Sequence, residues 1–241
     1  MNTLPPPRSQ HTASLASGET ASHPTKENTL NPLRDARELV EAVGEEVDNS
    51  GSRNQNPKDL SLIELIKEDF ATHDGNLAEP GFWIIALHRF GNARMDVEYR
   101  ILRAPLTLIY RVLKSLAGVL WGISLCYTTK LGRRVRIWHY GGMFLGARSI
   151  GNDVTLRHST TFGLLHQGDG PDMKPIIRDR VDVGSGVAVL GPVEIGEDVT
   201  IGANSVVVKN VSPGATVFGI PARPVDLGRL RGVIGSERPV R

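Results

Sequence analysis

Cysteine is almost missing from this 241-residue chain: Cys126 stands alone, which excludes an internal disulfide and fits a reducing compartment. Net charge is nearly missing too. The 28 basic and 26 acidic residues leave a formal +2, without the broad positive field that nucleic-acid binding calls for, so nucleic acid is not an expected partner. The N-terminal stretch "MNTLPPPRSQHTASLASGETASHPTKENTLNP" has neither the basic start nor the apolar core of a secretory leader, and the expected location is cytoplasmic. Residues 1–58 carry few large apolar side chains and cannot bury enough surface to offset the entropy of ordering, which predicts a disordered tail. Within it Leu33, Leu39, Val40 and Val43 keep the spacing of a short amphipathic helix. What is present is ordinary in amount, since 40% of residues are hydrophobic and the length suffices for one or two domains with a sizeable core.

From Leu60 the apolar residues recur three and four apart. "LSLIELIKEDFATH" reads as a helix with Ser61 as its cap and Glu64 three places on, and "PGFWIIALHRFGNAR" as a second helix starting at Pro80. "APLTLIYRVLKSLAGVLWGISL" reads as a third, long and unusually apolar. Arg111 and Lys114 interrupt it, so its uncharged run falls short of the ~20 residues a membrane-spanning helix needs. A packed helix is the reading taken, with peripheral membrane contact left open. Cys126 follows these helices and reads as a small core residue.

From Leu131 onward a period of six replaces the helical one. Ile177, Val183, Val189, Ile195, Ile201 and Val207 form one column, and Val181, Val187, Val193, Val199, Ser205 and Val211 form a second. Upstream, Ile150, Leu156 and Phe162 share the spacing, as do Leu131, Ile137 and Met143, with a one-residue slip between the two sets. So short a repeat cannot bury an apolar face alone and must stack, as solenoids do. Six residues per flat strand and corner, three to a turn, would close a triangular coil with the aliphatic columns inside. Asn152, Asn204 and Asn210 suit corners that need positive φ. "GLLHQGDGPDMKP" fits no column and predicts a projecting loop. The expected organisation is a tail over 1–58, a helical domain over 59–128, the coil over 129–226 and a C-terminal tail over 227–241.

The units "IGNDVT", "VGSGVA", "IGEDVT" and "IGANSV", closed by "VFGIPARPV", resemble the hexapeptide-repeat acyltransferases. "IWHYGGMFLGARSIGNDVTLRHSTTFG" after a helical segment resembles their serine acetyltransferase branch, which includes enzymes that acetylate saccharides during polysaccharide synthesis. The resemblance spans roughly residues 60 to 226. It implies an α+β chain, a helical segment followed by a left-handed parallel β-helix with one projecting loop. It also implies homotrimers, acetyl-CoA as acyl donor and no metal. Periodicity alone does not give the handedness.

Moving acetyl from a thioester to a hydroxyl needs a base for the hydroxyl proton, a role that suits histidine at neutral pH, and a donor for the oxyanion. The resemblance places His139 of "IWHYGG" at the family's catalytic position; a corner histidine bonded only to backbone is the alternative. His158 of "LRHSTT" lies one coil on, where it could line the same groove, and His166 opens the projecting loop. Two positions depart from the branch: Trp138 stands where it usually has an aspartate, and Lys174 where it usually has a second histidine. Asp74 of "THDGNL" could match a serine-contacting aspartate. Trp138 offers a flat apolar face of the kind that stacks on a sugar, or it packs against a neighbouring coil. On the donor side the resemblance points to Gly184, Gly202, Ala203 and Ser205 for close backbone approach and to Lys209 and Arg223 for the phosphates. The leading expectation is an O-acetyltransferase acting on a saccharide hydroxyl in exopolysaccharide or related synthesis. The alternatives are a serine O-acetyltransferase and a non-catalytic trimeric scaffold.

Overall fold

The computed structural model describes residues 53–166 and 168–225; the expected helix around Leu33–Val43 and the tail at 227–241 lie outside them. The first helix, α1 (Leu62–Thr72), opens on Ser61, whose Oγ accepts from the Glu64 N–H while the Glu64 carboxylate accepts from the Ser61 N–H at 2.8 Å. That reciprocal cap satisfies two of the N–H groups a helix start leaves unpaired. Pro80 begins α2 (Pro80–Ala93), where its missing N–H costs nothing. The third helix, α3 (Arg100–Trp121), starts earlier than its sequence suggests and stops at Gly122, whose φ of 62° ends it in the left-handed region.

The "ISL" that the sequence assigned to this helix is instead strand β1 (Ile123–Leu125), hydrogen-bonded in the coil. The coil therefore begins before the expected boundary at 129. The expected boundary at 58 moves as well: Asn56 donates to the Arg89 carbonyl at 2.9 Å, and the Gln55 N–H donates to Asn92 at 3.0 Å, which pins residues 54–56 to α2.

Each turn of the coil supplies three short strands. The first has β1, β2 (Lys130–Leu131) and β3 (Arg136–Trp138); the second has β4 (Met143–Leu145), β5 (Ser149–Ile150) and β6 (Thr155–Arg157). The third has β7 (Thr161–Gly163), β8 (Ile176–Ile177) and β9 (Asp182–Val183); the fourth has β10 (Ala188–Leu190), β11 (Glu194–Ile195) and β12 (Thr200–Ile201). The last has β13 (Val206–Val207) and β14 (Thr216–Phe218), on which β15 (Arg223–Pro224) folds back antiparallel. All other pairings are parallel, and they gather into three faces. The result is a left-handed parallel β-helix.

Strand alternation sends one apolar column inward from each face: Leu125, Leu145, Phe162, Val189 and Val207 from the first, Leu131, Ile150, Ile177 and Ile195 from the second, Ile137, Leu156, Val183, Ile201 and Val217 from the third. Every one is buried, and each buried aliphatic contributes about 1.5–3 kcal/mol. One register differs from the sequence reading. Opposite Phe162 stands Leu145, not Met143, because the extra residues fall in the "WHYGG" corner. The corner asparagines also divide: only Asn204 has positive φ, at 57°, whereas the Asn152 and Asn210 side chains accept from the N–H groups of Arg133 and Glu194. At one edge the left-handed positions are instead Arg134, Asp153, Arg180 and Asp198, stacked coil upon coil and ion-paired Arg134 to Asp153 at 2.5 Å and Arg180 to Asp198 at 2.7 Å.

Helices and coil are joined by buried polar groups. Arg89, wholly buried, donates to Asp69 of α1 at 3.0 Å and to the carbonyls of Leu131 at 3.0 Å and Gly132 at 2.6 Å. His88 Nε2–H donates to the Thr129 carbonyl at 2.9 Å, and burial pushes its pKa down to about 3. An unfolded histidine protonates near ~6.5, so below that pH the unfolded chain takes up a proton the folded chain refuses. Stability therefore rises with pH across this window and is lost on acidification, at a slope approaching ~1.4 kcal/mol per pH unit for one such group. Denaturant unfolding at pH 7.5, 6 and 5 should show the decline, and His88→Gln, which keeps a donor for Thr129, should flatten it; an unchanged slope would place the acid sensitivity elsewhere.

Candidate active site

Strand β3 ends at the corner between the third and first faces, and its alternation sets up the site. Ile137 points into the coil, so Arg136 and Trp138 point out. On the next coil Arg157 stands in register with Trp138, again facing outward. The indole thus lies between two guanidinium groups, 5.2 Å from Arg136 and 5.7 Å from Arg157. Each guanidinium is fixed from its far side: Arg136 by an ion pair to Asp74, and Arg157 by an ion pair to Asp182 and a 3.0 Å bond to the Val183 carbonyl. Trp138 remains 44% exposed.

His139 follows at φ 56°, inside a lengthened corner in which Gly142, at φ 63°, takes the left-handed position that Ser159, Gly186 and Asn204 occupy on later coils. Asparagine or glycine fills such a position at less cost than an imidazole. The ring stacks on Trp138 at 5.4 Å with 16° between the planes, and His158 meets it edge-on at 6.2 Å. Four of the residues singled out in the sequence therefore gather here: Trp138, His139 and His158 directly, and Asp74 through Arg136.

His166 and Lys174 do not join them. Their loop leaves β7 on the first face and returns at β8 on the second, across the first face from the His139 corner. The loop itself is as expected: Phe162 and Val189 are successive members of one column but 27 residues apart, against 18 from Val189 to Val207. Burial raises the half-buried Cys126 thiol, but bonds from Thr128, then Lys114, whose Nζ lies 3.8 Å from the sulfur, and last Lys174 outweigh it and hold the thiol below its ordinary pKa.

The donor-side candidates divide as well. Gly184 and Gly202 are small because the coil demands it. A Cβ on Gly184 would lie 2.6 Å from the Ala203 nitrogen, and one on Gly202 would lie 1.9 Å from the Phe218 ring. Ser205 is buried, its Oγ accepting from the Gly219 N–H at 3.1 Å. Ala203, Lys209 and Arg223 are exposed, the Arg223 guanidinium donating to the Ala222 carbonyl at 3.0 Å. A groove of about 1010 Å³ runs along the second face between residues 54–58 and strands β2, β5 and β8, with neither His139 nor His158 in its wall. Among the described residues no group of three or more His, Cys, Asp or Glu side chains is placed to hold a metal.

Sequence reasoning passed over three residues. Arg136 and Arg157 became visible only when the register paired their strands. His73, buried in α1's C-terminal turn, donates from Nδ1 to the Asp69 carbonyl at 2.7 Å and accepts the Ile137 N–H on Nε2 at 3.3 Å. Burial lowers its pKa and keeps that acceptor nitrogen unprotonated. The histidine thus ties α1 to the strand that presents Trp138 and His139.

A triangular parallel coil with a histidine at an outer corner and an "IPAR" closure defines the hexapeptide-repeat acyltransferases. No family model matches the chain. A serine acetyltransferase of Helicobacter pylori is 32% identical over 173 residues, covering 70% of this chain and 96% of that protein. One from Mycobacterium tuberculosis is 38% identical over 133 residues, covering 55% of this chain and 54% of the relative. The chain therefore spans about half the length of that relative, and 43% of the Buchnera aphidicola enzyme. Soybean serine acetyltransferase, solved with serine, aligns at 25% identity with a TM-score of 0.57 over 68% of this chain and 70% of that one. The chain belongs to the serine acetyltransferase family.

The helical cap places the site by close contact. A Cβ on Gly81 of α2 would lie 2.5 Å from the Ile137 carbonyl and 2.9 Å from His73 Nε2, whereas one on Gly118 of α3 would touch nothing within 4 Å. Gly81→Ala should lower the unfolding free energy by ~1–3 kcal/mol through overpacking. Gly118→Ala should raise it by ~0.5–1 kcal/mol through helix propensity. Denaturant titration of the two variants checks both signs.

Proposed function

We propose that this chain is a cytoplasmic O-acetyltransferase that moves acetyl from acetyl-CoA to a hydroxyl, with His139 as general base. The observation that carries the reading is the imidazole at a solvent-facing corner, held between Trp138 and His158 in a chain of this family. His139 takes the acceptor's hydroxyl proton as that oxygen attacks the thioester carbonyl. The tetrahedral intermediate then collapses, the carbon–sulfur bond breaks, and the departing CoA sulfur recovers the proton from the imidazolium. No acyl-enzyme is needed. His158 flanks the acceptor, and Ala203, Lys209 and Arg223 serve the donor's nucleotide end.

The finer reading concerns the acceptor. In favour of a saccharide stands the exposed indole of Trp138 braced by Arg136 and Arg157, a platform for a sugar ring. Asp74 is engaged by Arg136, which leaves it less available for an amino group. In favour of L-serine stand the names of the relatives, including the soybean enzyme solved with serine.

Replacing His139 by Ala should lower kcat by ~10²–10⁴-fold, with the unfolding transition retained; CoA release followed with a thiol reagent measures it. The same assay run with L-serine and with soluble oligosaccharides separates the acceptors. Turnover of serine alone would remove the saccharide reading, and activity unaffected by His139→Ala would move the base to His158 or His166.

A further inference from the structure

The cap carries a surface that the chemistry at His139 does not use. On α3 only Tyr110 and Ala117 are buried; Ile101, Leu102, Leu108, Ile109, Val112, Leu113, Leu116, Val119 and Leu120 are all exposed, Ile101 by 87% and Val119 by 82%. At 100° per residue these side chains fall in one sector about 140° wide, along a helix of about 33 Å. A stripe of that extent exceeds what proteins leave facing water. No helix among the described residues is long and apolar enough to cross a membrane.

Charge decides what fits it. Exposed Arg100 and Arg111 run along one edge, with half-buried Arg103 beside them. Arg100, Arg103 and Arg111 edge a shallow hollow of about 260 Å³ whose remaining wall is Ala104, Thr107 and Leu108, the last belonging to the apolar stripe. The exposed Arg100 and Arg111 suit an anionic headgroup, and the aliphatic strip beside them suits acyl chains. From Tyr99 to Asn152 the chain has no Asp or Glu at all. A second copy of this helix would set one acid-free, arginine-edged face against another, whereas an anionic bilayer supplies the missing negative charge.

We propose that α3 docks this chain on the surface of an anionic phospholipid membrane. The helix lies in the interface plane, its aliphatic stripe in the headgroup boundary and Arg100 and Arg111 toward the lipid phosphates. The inference is independent of which acceptor the enzyme uses.

Flotation of the full chain with vesicles of phosphatidylcholine and phosphatidylglycerol in equal parts, and of phosphatidylcholine alone, tests it. The chain should float with the anionic vesicles and much less with the neutral ones, and the binding should fall in 0.5 M salt. Arg100→Glu with Arg111→Glu should weaken partitioning by more than tenfold, since each surface cation is worth about fivefold. Val112→Asp with Leu116→Asp should abolish it. Circular dichroism and light scattering on each variant establish that fold and oligomer mass are retained. Absence of flotation overturns the proposal. So does Val112→Asp with Leu116→Asp lowering the oligomer mass while flotation persists, which would make the stripe a contact between copies of the chain.

Discussion

The buried Arg89 guanidinium holds the two halves of this protein in one arrangement. It bonds Asp69 of α1 and the carbonyls of Leu131 and Gly132 in the first coil, so one side chain fixes the first helix, the second helix and the start of the β-helix together. A charge buried to 0% exposure is tolerable only when it is paired and its donors are satisfied, and here neither partner can move without stranding the other. His73 and His88 repeat the device with neutral rings, one bonding Ile137 and the other Thr129. The cap is thereby oriented by directional bonds, which apolar contact alone would leave free to slide.

What that orientation serves is the corner after β3. The coil's sixfold phase is interrupted there, and the interruption is the "WHYGG" turn, whose His139, Gly141 and Gly142 all take positive φ. Strand alternation turns Trp138 outward beside Arg136 and Arg157, the longer turn sets His139 against it, and the same strand's Ile137 anchors the turn in the core. Structural regularity and chemical use thus divide between adjacent residues of one strand.

Much of this could be read along the chain because its causes are local. Ser61 and Glu64 form a capping box by adjacency, Pro80 starts a helix by lacking a donor, and the aliphatic columns repeat because each coil needs the same inward residue. Misreadings arose where an influence came from a neighbouring coil. "ISL" follows α3 without a break in hydrophobicity, and only pairing with β4 makes it a strand. Asn152 and Asn210 have the composition of corner residues, yet their side chains are engaged by N–H groups on adjacent coils.

By itself the sequence determined the solenoid, its helical cap and the projecting loop, since periodicity and turn chemistry act within a few residues, while resemblance singled out His139. The tertiary structure alone decided that Arg157 shares the indole with Arg136, that His73 positions β3, and that His166 and Lys174 stand across a face from the His139 corner. Those facts depend on which residues the coil stacks or sets on opposite edges. That register follows from the accumulated length of every corner, a sum no single segment displays.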